Sequence, residues 1–173
     1  YRYTASVEGP ISDDLVRSIY ADRQGVMWLG TNKGISISHP EQKQFEQVFL
    51  PPVPGDNRRA IIYDFFRDAR NDLWIGTSNG IYIYQPASSS FRHLPLQYKG
   101  NPLSVSKFFL DEDSTLYLGT NYSLFRFNMT DHRLTLLPNT EKDPVMNKTI
   151  KSRVVSVIRD TIAGHPVLLV SPY

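Results

Sequence analysis

Hydrophobic positions in this chain come in short runs that alternate with polar residues and stop at glycine, proline, asparagine or aspartate. Leu15–Tyr20 is β-rich, and Asp22-Arg23-Gln24-Gly25 reads as a turn whose glycine tolerates positive φ. Val26–Gly30 is a second strand, Asn32-Lys33-Gly34 a second turn, and Ile35–Ser38 alternates as a half-buried strand does. His39-Pro40-Glu41 then breaks the chain ahead of Phe45–Leu50. No window of the ~11 residues needed to recognise a helix carries its 3.6-residue period. The pattern predicts an all-β fold.

The pattern also repeats, and a repeat decides the architecture. Val16–Ile35 and Ile62–Ile81 align without a gap at an offset of 46, pairing Asp22 with Asp68, Trp28 with Trp74, Gly30 with Gly76 and Thr31 with Thr77. A third copy follows at an offset of 43, with Val105, Phe108, Asp111, Tyr117, Gly119 and Thr120. A fourth opens with Val154, Val157 and Asp160, but its second half, Gly164–Ser171, lacks the Trp-x-Gly-Thr signature. Four short strands in each ~40–50 residues, repeated, predict the four-stranded antiparallel blades of a β-propeller. The expected blades run over residues 15–50, 60–96 and 103–138, with an incomplete blade at 153–173 and residues 1–5 as the last strand of a preceding one. Propellers close into rings of ~4–8 blades, so about three and a half blades predict an arc of a larger ring.

Each repeated residue has a structural duty in this reading. Trp28, Trp74 and Tyr117 are wide enough to fill the space between face-packed blades. Gly30, Gly76 and Gly119, two residues on, permit close backbone approach. Thr31, Thr77 and Thr120 hydrogen-bond locally as the chain enters a turn. Asp22, Asp68 and Asp111 accept backbone N–H bonds in the turn that follows them.

Composition narrows the function classes. With 40% hydrophobic and 12% aromatic residues among 173, the chain has the material for packed cores and is not a disordered chain. No stretch reaches the ~18 apolar residues of a membrane helix, and no charged-then-apolar leader opens it. The absence of cysteine removes disulfides, thiol catalysis and thiolate zinc sites. The net charge is only +2, and Arg58-Arg59 is the only adjacent basic pair, so no nucleic-acid-binding stripe is expected. His39, His93, His132 and His165 stand far apart without metal-ligand spacing. Asp111-Glu112-Asp113 lacks the glycine and distal glutamate of a calcium loop and reads as a charged surface turn. No nucleophile elbow or glycine-rich phosphate loop is present. The expectation is no catalytic residue, metal or cofactor in this segment.

The pattern hydrophobic-x-x-hydrophobic-x-x-Asp-x-x-Gly-x-x-Trp-hydrophobic-Gly-Thr-x-x-Gly-hydrophobic resembles the two-component regulator propeller repeat. It is fullest at Val16–Ile35 and Ile62–Ile81; the third copy departs at Ser114, Tyr117 and Ser123. The resemblance implies a seven-bladed propeller in the periplasmic sensor region of a hybrid two-component or one-component membrane regulator. Such regions detect oligosaccharides and signal through a phosphorelay to polysaccharide-utilisation genes. It implies an oligosaccharide ligand, the remaining blades and a second copy of the parent sensor as partners, with no enzymatic turnover by this segment. Two other classes stay open: a lyase-type propeller enzyme with its catalytic cluster on other blades, and a propeller scaffold for protein contacts.

A ligand face follows from blade topology. The turns between second and third strands share one face with the blade-to-blade loops Pro51–Arg59, Leu96–Pro102 and Asn139–Arg153. The candidate ligand-binding residues there are Lys33, Arg58, Arg59, Asn79, Tyr98, Lys99, Tyr122 and Arg153. Aromatic rings and amides suit sugars, while Arg and Lys suit sulfate or carboxylate groups on acidic ones.

Overall fold

The computed structural model describes residues 11–41, 44–55, 58–112, 115–138, 142, 144, 147 and 151–173. The expected strand at residues 1–5 lies outside them. The fold is all-β: among the described residues the strands form three four-stranded antiparallel sheets and two hairpins. Blade 1 is β1 (Val16–Ala21), β2 (Met27–Thr31), β3 (Ile35–Ser38) and β4 (Glu46–Val48). Blade 2 is β5 (Ile62–Arg67), β6 (Leu73–Thr77), β7 (Gly80–Gln85) and β8 (Ser90–Leu94). Next comes a two-stranded hairpin, β9 (Gln97–Tyr98) and β10 (Asn101–Pro102), in a stretch expected to be a plain loop. Its turn, Lys99-Gly100, has both φ angles positive, the geometry that matches strand twist in a tight hairpin. Blade 3 is β11 (Val105–Leu110), β12 (Leu116–Thr120), β13 (Leu124–Phe127) and β14 (Leu134–Leu136). The chain ends in a hairpin of β15 (Val154–Ile162) and β16 (His165–Pro172). Pro144 and Asn147, before that hairpin, are helical.

One irregularity recurs in every unit and explains the sequence periodicity. The first residue of each innermost strand pairs with the last residue of the second, at Val16↔Thr31, Ile62↔Thr77, Val105↔Thr120 and Val154↔Pro172. Each pairing is followed at once by a bulge that slips the register by one residue. A bulge re-aims side chains, so the positions after it leave the simple alternation of a strand. The β15–β16 hairpin keeps this register although it has lost the Trp-x-Gly-Thr sequence.

Blades pack face to face. Trp28, Ile35 and Ile37 of blade 1 share a core with Ile62, Phe65, Leu73, Ile75 and Tyr82 of blade 2. Trp74, Ile81 and Ile83 meet Val105, Phe108, Leu116, Leu118, Phe125 and Phe127 of blade 3 in the same way. Tyr117 and Leu124 then meet Val154 and Val157. The wide aromatic of each second strand therefore faces the next unit: Trp28 lies 5.5 Å from Tyr84, and Trp74 meets Phe127 edge-on at 5.9 Å. The glycine two residues on makes this packing possible. A Cβ on Gly76 would sit 2.7 Å from the Val105 carbonyl oxygen of the neighbouring blade.

The outermost faces of the row are exposed in part, although Leu29 and Ser36 on the outer face of blade 1 are buried. Ile19, which corresponds to the buried Phe65 and Phe108, is 68% exposed. On the last hairpin Ile158 and Leu169 form a cross-strand pair and are 53% and 39% exposed. Both ends thus expose some apolar positions that the internal junctions bury.

Candidate ligand-binding face

The two edges of the blade row differ in chemistry. On one edge lie the turns between first and second strands, organised by the repeated aspartate. Asp22 Oδ1 accepts the Gln24 and Val26 amides at 2.9 and 3.0 Å, and Asp68 Oδ1 accepts those of Arg70 and Asp72, both at 2.9 Å. Asp111 Oδ1 accepts the Glu112 amide at 2.9 Å. A cleft of about 600 Å³ opens on this edge between blades 1 and 2, lined by Tyr20, Asp22, Arg67, Asp68 and Asn71 among others. Arg67 donates to the Asn71 carbonyl and side-chain oxygens at 3.1 and 2.9 Å and lies 3.6 Å from Asp22.

Asp111 differs from expectation. It is not part of a solvated surface turn: its side chain is 3% exposed and held by Arg159 at 2.8 and 2.9 Å. The guanidinium comes from β15, in the next unit. Asp113, the last residue of the expected acidic turn, lies outside the described residues.

On the opposite edge the repeated threonine staples each turn between second and third strands. The Thr31, Thr77 and Thr120 hydroxyls donate to the carbonyls of Gly34, Gly80 and Ser123 at 2.9, 3.0 and 2.8 Å. They accept the amides of Lys33, Asn79 and Tyr122, each at 3.1 Å. These turns are tied to the chain entering the innermost strand: Ser78 N donates to the Ile61 carbonyl, and Asn121 N to that of Ser104. A firm turn under a blade-to-blade loop is a good platform for recognition residues.

Six of the eight candidate residues fall in two groups on this edge. Lys33, Arg58 and Arg59 line one cleft of about 210 Å³ between blades 1 and 2, with Gly34, Leu50, Val53, Ala60 and Tyr82 among its walls. The Arg59 guanidinium lies 4.9 Å above the Phe49 ring, and the Tyr82 hydroxyl donates to the Pro51 carbonyl at 3.0 Å. Lys33 Nζ is 2.9 Å from Asp13, and the ammonium holds that carboxyl below its ordinary value. The second group is aromatic. Tyr98 lies 5.0 Å from Tyr122 and 5.1 Å from Phe125, with the Lys99 ammonium 5.5 Å over the Tyr98 ring. Tyr122 also borders a smaller cleft of about 140 Å³ with Ser123, Leu137, Pro138, Asn147 and Lys151.

The other two lie apart. Asn79 is occupied with its own turn: its amide is held by Thr77, its side-chain oxygen accepts from Ser78 at 3.1 Å, and its carbonyl is 2.7 Å from His93 Nε2. Arg153 stacks on Tyr63 of β5 at 4.4 Å and stands 5.9 Å from Tyr173. Near it, Asp64 accepts the Phe108 amide at 2.8 Å and pairs with Lys107 at 3.1 Å. Burial raises the Asp64 carboxyl above its ordinary value.

Sequence reasoning missed Phe49 and Tyr82, which line the basic cleft, and Asp13, which pairs with Lys33. It also missed Arg67 and Arg159, which hold two of the turn aspartates. The last pair was within reach, since both stand five residues after the first residue of their innermost strand. Among the described residues no group of three or more His, Cys, Asp or Glu side chains is placed to hold a metal ion. Nor is any helix among them long and apolar enough to cross a membrane.

The family model described as two component regulator propeller matches residues 10–33 and 59–79, which span the first-to-second-strand segments of blades 1 and 2. Two segments of the chain thus resemble the two component regulator propeller repeat. Solved structures with the same blades include two of the extracellular domain of BT4673 from B. thetaiotaomicron. One describes it as a putative one component system and the other as a putative hybrid two component system. Both are 18% identical to this chain, with TM-scores of 0.69 and 0.70, and cover 88% of it and 20% of their own length. The extracellular domain of the putative hybrid two component system BT3049, from the same organism, is 14% identical with a TM-score of 0.61. It covers 86% of this chain and 18% of its own. These likenesses establish the propeller fold. This chain thus spans about a fifth of the length of these extracellular domains. None of the curated proteins is a significant match.

Proposed function

We propose that the chain is part of a ligand-sensing propeller in the periplasmic region of a membrane-bound hybrid two-component or one-component regulator. It detects oligosaccharides without turning them over and passes occupancy to the transcription of polysaccharide-utilisation genes. The regulator-propeller repeats support the regulatory setting, as does the likeness to extracellular domains of putative one and two component systems. The observation that carries the binding role is the edge of stapled turns, where a basic cleft and a tyrosine pair are held by neighbouring loops. Stacking rings and planar donors are the groups that bind sugars with fixed orientation. The exposed apolar positions Ile19, Ile158 and Leu169 at the ends of the row support its continuation by further blades, with residues 1–173 as one arc.

The test is a glycan library screened against the intact extracytoplasmic region by thermal shift and calorimetry, with product analysis of every incubation. A specific oligosaccharide that raises the melting temperature and is recovered intact is the expected result. Cleavage of any glycan contradicts a pure sensor, and silence across the library contradicts oligosaccharide sensing.

A further inference from the structure

Two departures from the repeat meet on the edge of stapled turns. The second residue after the stapling threonine is Lys33 in blade 1 and Asn79 in blade 2, but Tyr122 in blade 3. The connection that leads into blade 3 is also unlike the others. Among the described residues it is the one blade-to-blade connection that folds into a hairpin, β9–β10. Its base is rooted in the junction core, where Leu96 and Leu103 are buried and Leu103 N donates to the Leu96 carbonyl at 2.9 Å. Its tip holds Lys99, which is not a glycine, at a φ of +51°, a conformation that the surroundings have to enforce. Features that break a repeat, carry strain and yet converge in space point to function better than the repeat itself does.

What they build is an aromatic platform. Tyr98 of the hairpin lies 5.0 Å from Tyr122, and its ring meets the fully buried Phe125 edge-on at 5.1 Å. Phe125 thus fixes Tyr98, and Tyr98 backs Tyr122. The Lys99 ammonium stands over the Tyr98 ring, so Tyr122, 37% exposed, is the ring that stays open. Its backbone is held by the Thr120 hydroxyl, which accepts the Tyr122 amide at 3.1 Å. The candidate cations of the same edge, by contrast, already have company. Lys33 pairs with Asp13 at 2.9 Å, Arg58 is engaged, Arg59 lies over Phe49 and Arg153 over Tyr63. Lys151 borders the small cleft beside Tyr122, and it is exposed, where water and salt screen its charge.

We infer that the ligand is a neutral oligosaccharide, one pyranose ring of which lays its C–H face on Tyr122. The inference rests on the sensing function proposed above and names the ligand class and the anchoring residue. A sugar ring carries hydroxyls around its rim and C–H groups on its faces. It therefore offers the negative face of an aromatic ring an apolar, faintly positive surface without any net charge. The cleft beside Tyr122, at about 140 Å³, is well below the ~300–1,000 Å³ of a site that encloses a ligand. The sugar ring accordingly lies across the platform, and the cleft takes no more than a substituent.

The experiment is calorimetry on the intact extracytoplasmic region. The neutral probes are cello-, xylo-, galacto- and manno-oligosaccharides, and the acidic probes are oligogalacturonides and heparin-derived tetrasaccharides. The tightest binder is expected in the neutral set. Its affinity should change less than about twofold between about 0.05 and 0.5 M salt, since it brings no charge to be screened. Tyr122→Ala is expected to weaken it at least about tenfold, the loss typical of a central aromatic anchor. Tyr122→Phe is expected to keep wild-type affinity, because the ring and not the hydroxyl holds the sugar. Tyr122→Leu, which retains apolar bulk without a flat face, is expected to lose as much affinity as Tyr122→Ala at an unchanged melting temperature. That variant separates lost stacking from a fold defect. Neutral binding that survives both Tyr122→Ala and Tyr122→Leu overturns the platform. A tightest binder from the acidic set, weakening as salt rises, overturns the neutral class and leaves the sensing function standing. Silence from every probe removes both.

Discussion

The junction between blades 1 and 2 and the one between blades 2 and 3 use the same parts and solve one problem differently. In each, the turn aspartate spends one carboxylate oxygen on backbone amides. Its other oxygen still needs a partner. At the first junction Arg67, reaching over from blade 2, lies 3.6 Å from Asp22 Oδ2, and the Trp28 indole N–H is buried without a partner among the described residues. At the second junction the corresponding residue of the next blade is Leu110, which has no charge to offer. Asp68 Oδ2 instead accepts the Trp74 indole at 3.0 Å. The third junction returns to the first solution and tightens it: Arg159 grips Asp111, and Tyr117, with no indole, stands in the tryptophan position. A single residue, five places into the innermost strand, thus decides whether a blade is tied to its neighbour by charge or tied to itself. Repeat identity and junction chemistry are separate properties.

Substitutions can separate the junctions further. The largest effect is expected where backbone meets backbone. Gly76→Ala places a Cβ against the Val105 carbonyl oxygen, which has no rotamer to turn away, and should cost about 2–4 kcal/mol. Gly119→Ala meets the Val154 side chain at 3.0 Å and should cost about 1 kcal/mol. Urea unfolding of the intact region compares the two, and equal costs would mean that the junctions yield alike.

Charge comes next. Arg159→Leu leaves the buried Asp111 carboxylate without its cation and should cost about 1–3 kcal/mol, the lower end reflecting the half-exposed arginine. Asp111→Asn in the Arg159→Leu background should restore part of that loss. A neutral result for Arg159→Leu, read by the same unfolding curves, would remove the ion pair from the account.

The smallest effect contrasts the two tryptophans. Trp74→Phe breaks a hydrogen bond to a carboxylate, whereas Trp28→Phe removes an indole N–H that is already unpaired. Both lose similar contact area, so Trp74→Phe should be the costlier by about 1–2 kcal/mol. Equal losses would show that the Asp68 bond contributes nothing measurable.

The sequence made the fold legible because a bulged first strand, a wide aromatic and a contact glycine recur at fixed spacing. Those positions answer to neighbours within a few residues or to an identical neighbouring unit. What stayed hidden depends on pairings that no spacing announces. Asp111 looked like part of a solvated acidic run, yet its fate is set by Arg159, 48 residues away. The Leu96–Pro102 stretch looked like a loop, and Lys99-Gly100 folds it into a hairpin. Lys33, Arg58 and Arg59 were legible as members of one edge. That they share one cleft floored by Phe49 and Tyr82 was not, since it depends on how a proline-rich connection lies across the next blade.

The central claim is that ligand is taken on the edge of stapled turns and not on the edge of aspartate turns. Hydrogen–deuterium exchange of the intact extracytoplasmic region, with and without a glycan that binds it, tests this directly. Slowed exchange is expected at residues 49–55, 58–60, 97–101 and 121–123, with residues 22–26 and 68–72 unchanged. Protection at 22–26 and 68–72 alone would place the ligand in the opposite cleft and contradict the account.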